Sequence, residues 1–245
     1  MKIRFVCFLV SFGAAAAAET PLEQLFDAKL TPTQRANACF ELRDKAEPEV
    51  VSALARALED PDLLSCAAAK LRKAGAVEPL KQALSSPQFQ VRAAAARELG
   101  LLQKPEVLEL LSRAAKDENA LVATNALSGL SEYQGPEVIP YLASLASKGG
   151  MTGDMALDRL WQLEPRQALD AARTLLASSQ VPDKLYAMRI IGASGDTSDL
   201  PVLKQIATDH PEAIAQRDRG FGFMPAINLA RAANSAIAAI ESRVK

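Results

Sequence analysis

The feature that most constrains this chain is a register of alanines. Ala38, Ala67, Ala95, Ala126, Ala156 and Ala187 each stand four residues before an aliphatic residue, namely Leu42, Leu71, Leu99, Leu130, Leu160 and Ile191. The aliphatic anchors lie 29, 28, 31, 30 and 31 positions apart. A period of that length marks a stacked array of small units rather than a single globular core. The clearest copy is Val91-Arg-Ala-Ala-Ala-Ala-Arg-Glu-Leu-Gly-Leu-Leu102. Between anchors runs a second apolar stretch, often opened by proline: Pro48-Glu-Val-Val, Pro105-Glu-Val-Leu, Pro136-Glu-Val-Ile and Pro165-Arg-Gln-Ala. Each unit therefore reads as helix, turn, helix.

The packing logic is simple. Alanine keeps full helix propensity and lets a neighbouring helix come close. The aliphatic residue one turn later fills the space beside that approach. Proline is tolerated in a first helical turn, where its missing N–H has no partner to lose, and it keeps the preceding helix from running through. One such pair cannot bury its apolar face alone, so copies must stack. The expected fold class is all-α, an α-α superhelix (α-solenoid) of six to seven helix pairs. The aromatic content of 5% fits an interior built from Ala and Leu.

Val91-Arg-x-Ala-Ala-Ala-x-x-Leu-Gly, followed by Lys104-Pro-Glu-Val, resembles the HEAT repeat, in the short form shared with phycobilin-lyase-like repeat proteins. Asp60-Pro-Asp and Gly135-Pro-Glu-Val-Ile-Pro-Tyr-Leu are similar to the same pattern. The resemblance covers roughly residues 31–244 and implies an armadillo-type fold. It implies little about activity, because such arrays serve many roles. The family's arginine in the second column of the first helix is kept at Arg35 and Arg92, with Lys184 as a substitute. Leu64, Ala123 and Gly153 stand there in the other units, which interrupts a basic ladder.

Residues 1–18 read as a signal peptide. Lys2 and Arg4 precede an unbroken run of fourteen residues from Phe5 to Ala18, with a small-x-small cleavage site at Ala16-Ala-Ala18. The run falls short of the ~20 residues a membrane-spanning helix needs; an uncleaved anchor is the alternative. The expected location is periplasmic or secreted. Cleavage leaves 26 basic and 29 acidic residues. That balance is no footprint for nucleic acid and no polybasic patch for anionic lipid, so no membrane association is expected after cleavage. Residues 19–31 form a lead-in, in which Leu22, Leu25 and Phe26 would share one side of a short capping helix. Thr31 is placed to cap the first full pair with Gln34 three residues on. Residues 32–245 make up the repeat domain, with an inserted loop at 209–225.

Cys39 and Cys66 remain after cleavage, and an oxidising compartment makes them a candidate disulfide. Cys39 lies three residues before its anchor and Cys66 five before its own, so the two face opposite ways along the stack, ~200° apart on a helix. The alternative is two small buried thiols used as packing.

Two departures from the rhythm carry the candidate contact residues. In the fifth unit, Ser147-Lys-Gly-Gly-Met-Thr-Gly153 replaces a short turn. Trp161, the single tryptophan, sits one past its anchor, where other units have Arg43, Arg72, Gly100, Ser131 and Gly192. It reads either as an aromatic contact in a groove or as a ring that covers the glycine-rich turn. The second departure follows Ile191. The next anchor, Ile237, lies 46 residues on, with Ala233 four before it. The extra residues hold Arg217, Arg219, Phe221, Phe223 and Met224, the residue types that dominate interface energies. Insertions in repeat arrays map to loops, often on the binding face; the alternative is that the aromatics seal the end of the stack.

Catalytic chemistry is sparse. His210 is the one histidine and reads as a surface turn residue; no Cys-x-x-Cys, His-Glu pair or histidine cluster is present for a metal. Asp196 and Asp199 read as helix caps. Asp154 and Asp158 share a helix face and read as a solvated pair. No cofactor and no enzyme activity are expected. The expectation is an exported, non-catalytic scaffold that binds a protein or peptide through its repeat surface or inserted loop. A phycobilin-lyase-like chromophore-handling protein and a structural subunit of an envelope assembly are the alternatives.

Overall fold

The structure is a computed structural model, and it describes residues 20–209 and 228–244. Residues 1–18, read above as a signal peptide, and the loop candidates Arg217, Arg219, Phe221, Phe223 and Met224 lie outside the described residues, as does His210.

Every element among the described residues is helical. The lead-in is a single turn, α1 (Pro21–Gln24). Two pairs follow, α2 (Pro32–Glu41) with α3 (Pro48–Ala57) and α4 (Leu64–Lys73) with α5 (Val77–Ala83). Next come α6 (Phe89–Gly100) with α7 (Leu108–Ala114), and α8 (Ala120–Ser131) with α9 (Ile139–Ala146). The last pairs are α10 (Gly150–Leu163) with α11 (Pro165–Leu175), and α12 (Val181–Ser194) with α13 (Leu200–Asp209). Helix α14 (Leu229–Val244) then packs on both α12 and α13 as the first helix of a seventh unit. First helices stack on first helices along the array. No helix among the described residues is long and apolar enough to cross a membrane.

The alanine register is the spine of this stack. Ala67, Ala95, Ala126, Ala156, Ala187 and Ala233 are all fully buried, and Ala38 is nearly so. Leu71, Leu99, Leu130, Leu160 and Ile191 are buried beside them. Ile237 is only half-buried, as befits the last first-helix. Second helices contribute Leu54, Leu80, Leu111, Leu142 and Leu203 to one continuous core.

The ends of the helices follow local chemistry. Thr20 and Thr31 form capping boxes with Glu23 and Gln34. Leu25 is buried, whereas Phe26 is turned outward under the Arg56 guanidinium, 4.5 Å from its ring centre. Pro48 and Pro165 open α-helices as expected. Pro105 and Pro136 instead open one 3-10 turn, Pro105–Val107 and Pro136–Val138, before α7 and α9 begin. Asp196 and Asp199 form a capping box ahead of α13.

Side-chain bridges repeat with the period of the array. Arg35 reaches Asp60 and Asp62 in the turn before α4. Arg92 reaches Asp117 in the turn before α8, at 2.8 Å. Arg72 pairs with Glu98 at 2.6 Å and Arg173 with Asp199 at 2.7 Å. Tyr133 donates to the Lys104 carbonyl at 2.9 Å, and Asn125 to the Ala93 carbonyl at 3.0 Å. Cys39 and Cys66 are joined by a disulfide between α2 and α4, with Cα atoms 6.3 Å apart.

Candidate contact groove between helices α10 and α12

The column one past each anchor sets how closely first helices approach. In α6 that residue is Gly100, and a Cβ built on Gly129 of α8 would lie 2.6 Å from its Cα. In α12 it is Gly192, and its own Cβ would lie 3.2 Å from Ala236 Cα in α14. Backbone meets backbone at these two crossings, and both interfaces are broad. In α10 the same column holds Trp161. Helix α10 touches α12 more sparsely than α6 touches α8, and about as sparsely as α2 touches α4 and α8 touches α10.

The seam between α10 and α12 carries a run of polar, aromatic and methionine side chains. On α10 the residues Met151, Asp154, Met155, Asp158 and Trp161 follow at helical spacing on one face. Facing them on α12 are Asp183, Tyr186, Arg189 and Ser194. Trp161 Nε1 donates to Ser194 Oγ at 3.0 Å. The Arg189 guanidinium lies 5.4 Å from the Tyr186 ring centre and 6.0 Å from that of Trp161, within cation–π reach. The same guanidinium forms an ion pair with Asp158. Met151 and Met155 stand exposed at 58% and 40%.

Trp161 therefore leans across to the next unit. It does not cover the glycine-rich turn, because that turn sits at the start of α10 and Trp161 near its end, about 12 Å away along the axis from Gly153. The sequence named Trp161 but missed Tyr186 and Arg189. Their three-residue spacing on α12 was the available signal; the meaning of the crossing column emerges only when successive helices are superposed.

The expectation of a solvated Asp154–Asp158 pair is corrected. Asp158 is half exposed and paired with Arg189, but Asp154 is 6% exposed. Asp154 lies low in the α10–α12 seam, beside Asp183 and under Met151, Pro182 and Tyr186. Next to it, the missing side chain of Gly153 lets α10 press onto the end of α9, where an added Cβ would sit 3.1 Å from the Leu145 carbonyl oxygen. Burial first, then the Asp183 and Asp158 charges, push the Asp154 carboxyl from 3.8 up to about 6. Among the described residues Asp154 Oδ1 has no hydrogen-bond partner.

Asp183 is held differently. It accepts from the Gly150 backbone N–H at 2.9 Å and from Ser178 Oγ at 2.6 Å. Gly149 and Gly150 take positive φ of 69° and 73° to make that turn. A side chain at Gly149 would also collide with the carboxylate, its Cβ lying 2.2 Å from Asp183 Oδ2. Above the two acids is a cleft of 290 Å³ walled by Met151, Met155, Pro182 and Tyr186. Among the described residues no group of three His, Cys, Asp or Glu side chains comes together to hold a metal.

Comparison with known proteins bears on the fold. Residues 77–149 match the family model for HEAT repeats. No curated protein matches the chain. Among solved structures, the Escherichia coli protein YibA is 16% identical, with 90% of this chain and 80% of that one covered and a TM-score of 0.48. Human deoxyhypusine hydroxylase in complex with glycerol is 19% identical, covering 91% and 95%, with a TM-score of 0.37. The CpcE–CpcF complex of phycocyanin lyase from Nostoc is 20% identical, covering 95% and 98%, with a TM-score of 0.40. The matched stretch lies within one unbroken alanine register that the helices on either side continue, and the chain is a HEAT-like helical-repeat protein.

Proposed function

We propose that the mature chain is an exported, non-catalytic scaffold that takes a segment of another protein into the α10–α12 groove. The observation that carries this reading is the composition of the α10–α12 seam, where Trp161, Tyr186, Arg189 and the exposed Met151 and Met155 stand together. Those residue types concentrate binding energy at interfaces, and methionine adapts to varied partners. The basic start, apolar run and small-residue site of residues 1–18 support export. The Cys39–Cys66 bond fits an oxidising compartment.

Site-specific photo-crosslinking in the intact cell envelope tests the reading. A benzophenone amino acid replaces Met151 or Met155 in the groove, and Phe40 or Leu101, both exposed, elsewhere. The groove positions should give one adduct of defined mass, and the others none. Adducts absent at 151 and 155, or equal at all four positions, would remove the groove from consideration. The same residue placed at Phe221 tests whether the inserted loop takes part.

A further inference from the structure

The array pairs its buried charges with partners from neighbouring turns. Glu98 has Arg72, Asp199 has Arg173, and Lys70 has Asp44. Asp154 and Asp183 are as deeply buried, at 6% and 2% exposed, yet among the described residues neither forms an ion pair. Burying a carboxylate without a cation is costly. Asp183 recovers part of that cost through the Gly150 N–H and Ser178 Oγ. Among the described residues Asp154 recovers none through hydrogen bonds, its Oδ1 being unpartnered. The column that could have supplied a cation is the one where Arg35 and Arg92 reach their acids. In this unit it holds Gly153, so no arginine stands there beside the two acids.

The cleft over these acids has a mixed wall. Asp154 and Asp183 supply charge, Gln180 an amide, and Met151, Met155, Pro182 and Tyr186 an apolar rim. A metal would want more oxygen ligands than two carboxylates, one of which already accepts two hydrogen bonds. A guanidinium wants a planar pair of free oxygens, whereas an ammonium is a compact point charge on a methylene stem.

We propose that this cleft receives a primary alkylammonium group, its charge set against Asp154 and Asp183 and its stem between Met151, Met155 and Tyr186. The proposal rests on the groove reading above, and the source it assigns is a lysine of the bound protein segment. The charged groups facing Asp154 are Asp183 on α12 and Asp158 on its own helix. From α9 come the backbone carbonyls of Leu145 and Ala146 beside Gly153. Because Asp154 holds its proton up to about 6, an ammonium binds in exchange for that proton below this pH, and affinity falls as the solution is acidified.

Titration calorimetry on the mature chain at about pH 8 tests the assignment. The probes are an end-blocked pentapeptide with one central lysine, its Nε-acetyl form, its arginine form, 1,5-diaminopentane and calcium chloride. The lysine peptide should bind at least about tenfold better than the acetylated one. Asp154→Asn should lose that preference, while Asp170→Asn on exposed α11 keeps it. Asp154→Asn is the informative variant because among the described residues no hydrogen bond depends on its carboxylate. Diaminopentane binding as tightly as the peptide would keep the ammonium chemistry and move its source to a free amine. Unchanged affinity in Asp154→Asn, an arginine peptide that binds as well as lysine, or calcium binding without amine binding would each overturn the proposal. Crosslinks at 151 and 155 with flat amine titrations would leave the groove reading standing and sink only the ammonium site. Amine binding without crosslinks would do the reverse.

Discussion

A methyl group on Gly129 would lie 2.6 Å from the Gly100 Cα, inside any allowed contact. Alanine would add about 1 kcal/mol of helix propensity there, but prying two backbones apart costs about 1–3 kcal/mol or more. The collision is with backbone and cannot be relieved by a rotamer change, so the second effect wins. Gly129→Ala should therefore lower the thermal midpoint by several degrees, about 2–4 °C per kcal/mol in a chain of this size. An unchanged midpoint in a calorimetric scan would mean that α6 and α8 do not cross backbone to backbone. At this scale the sequence was legible where a residue type has one use. The alanines mark close approach, and Thr31 with Gln34 marks a helix start. It was illegible where the use depends on a neighbour distant in sequence. Asp154 looks like half of a surface pair until α12 brings Asp183, Pro182 and Tyr186 beside it, and the residue past each anchor looks neutral until Gly100 is seen against Gly129.

Helices and turns carry the periodicity that the alanine spacing implied, and a 3-10 turn precedes the second helix at Pro105, at Pro136 and, without proline, at Thr197–Asp199, where Asp196 and Asp199 form the capping box. At Pro105 the Val107 N–H bonds back to Lys104. The disulfide between α2 and α4 acts at the scale of elements, since it ties two first helices across a 27-residue separation. Closing a loop of that length stabilises the fold by about 3 kcal/mol in the chain-entropy view. Stability in a repeat array is local, each unit depending on its neighbours. Reduction, or Cys39→Ser with Cys66→Ser, should therefore lower amide protection in α2 to α4 while α10 to α14 keep theirs. Hydrogen exchange resolved by segment measures this directly. A uniform loss along the chain would show that the array unfolds as one cooperative body.

The whole molecule is a stack that is tight at α6–α8 and α12–α14 and sparser at α2–α4, α8–α10 and α10–α12. In the proposed role the α10–α12 seam, whose Asp154 and Asp183 form no ion pair among the described residues, serves an outside partner rather than the fold. Sites kept for binding commonly cost stability. The sign follows from Asp154, whose carboxyl ionises near 3.8 in the unfolded chain and about 6 in the fold. Below the lower value it is protonated in both states and no penalty exists. As pH rises through the interval the unfolded chain ionises first, and above about 6 the full cost of burying the charge is present, on the order of 3 kcal/mol. The decisive measurement is thermal unfolding of Asp154→Asn beside the unaltered mature chain across this range. The variant should be the more stable of the two at about pH 8, with the gap closing by about pH 4. A variant that melts lower at about pH 8 would show that the carboxylate already serves the array and is not held in reserve for a cation from outside.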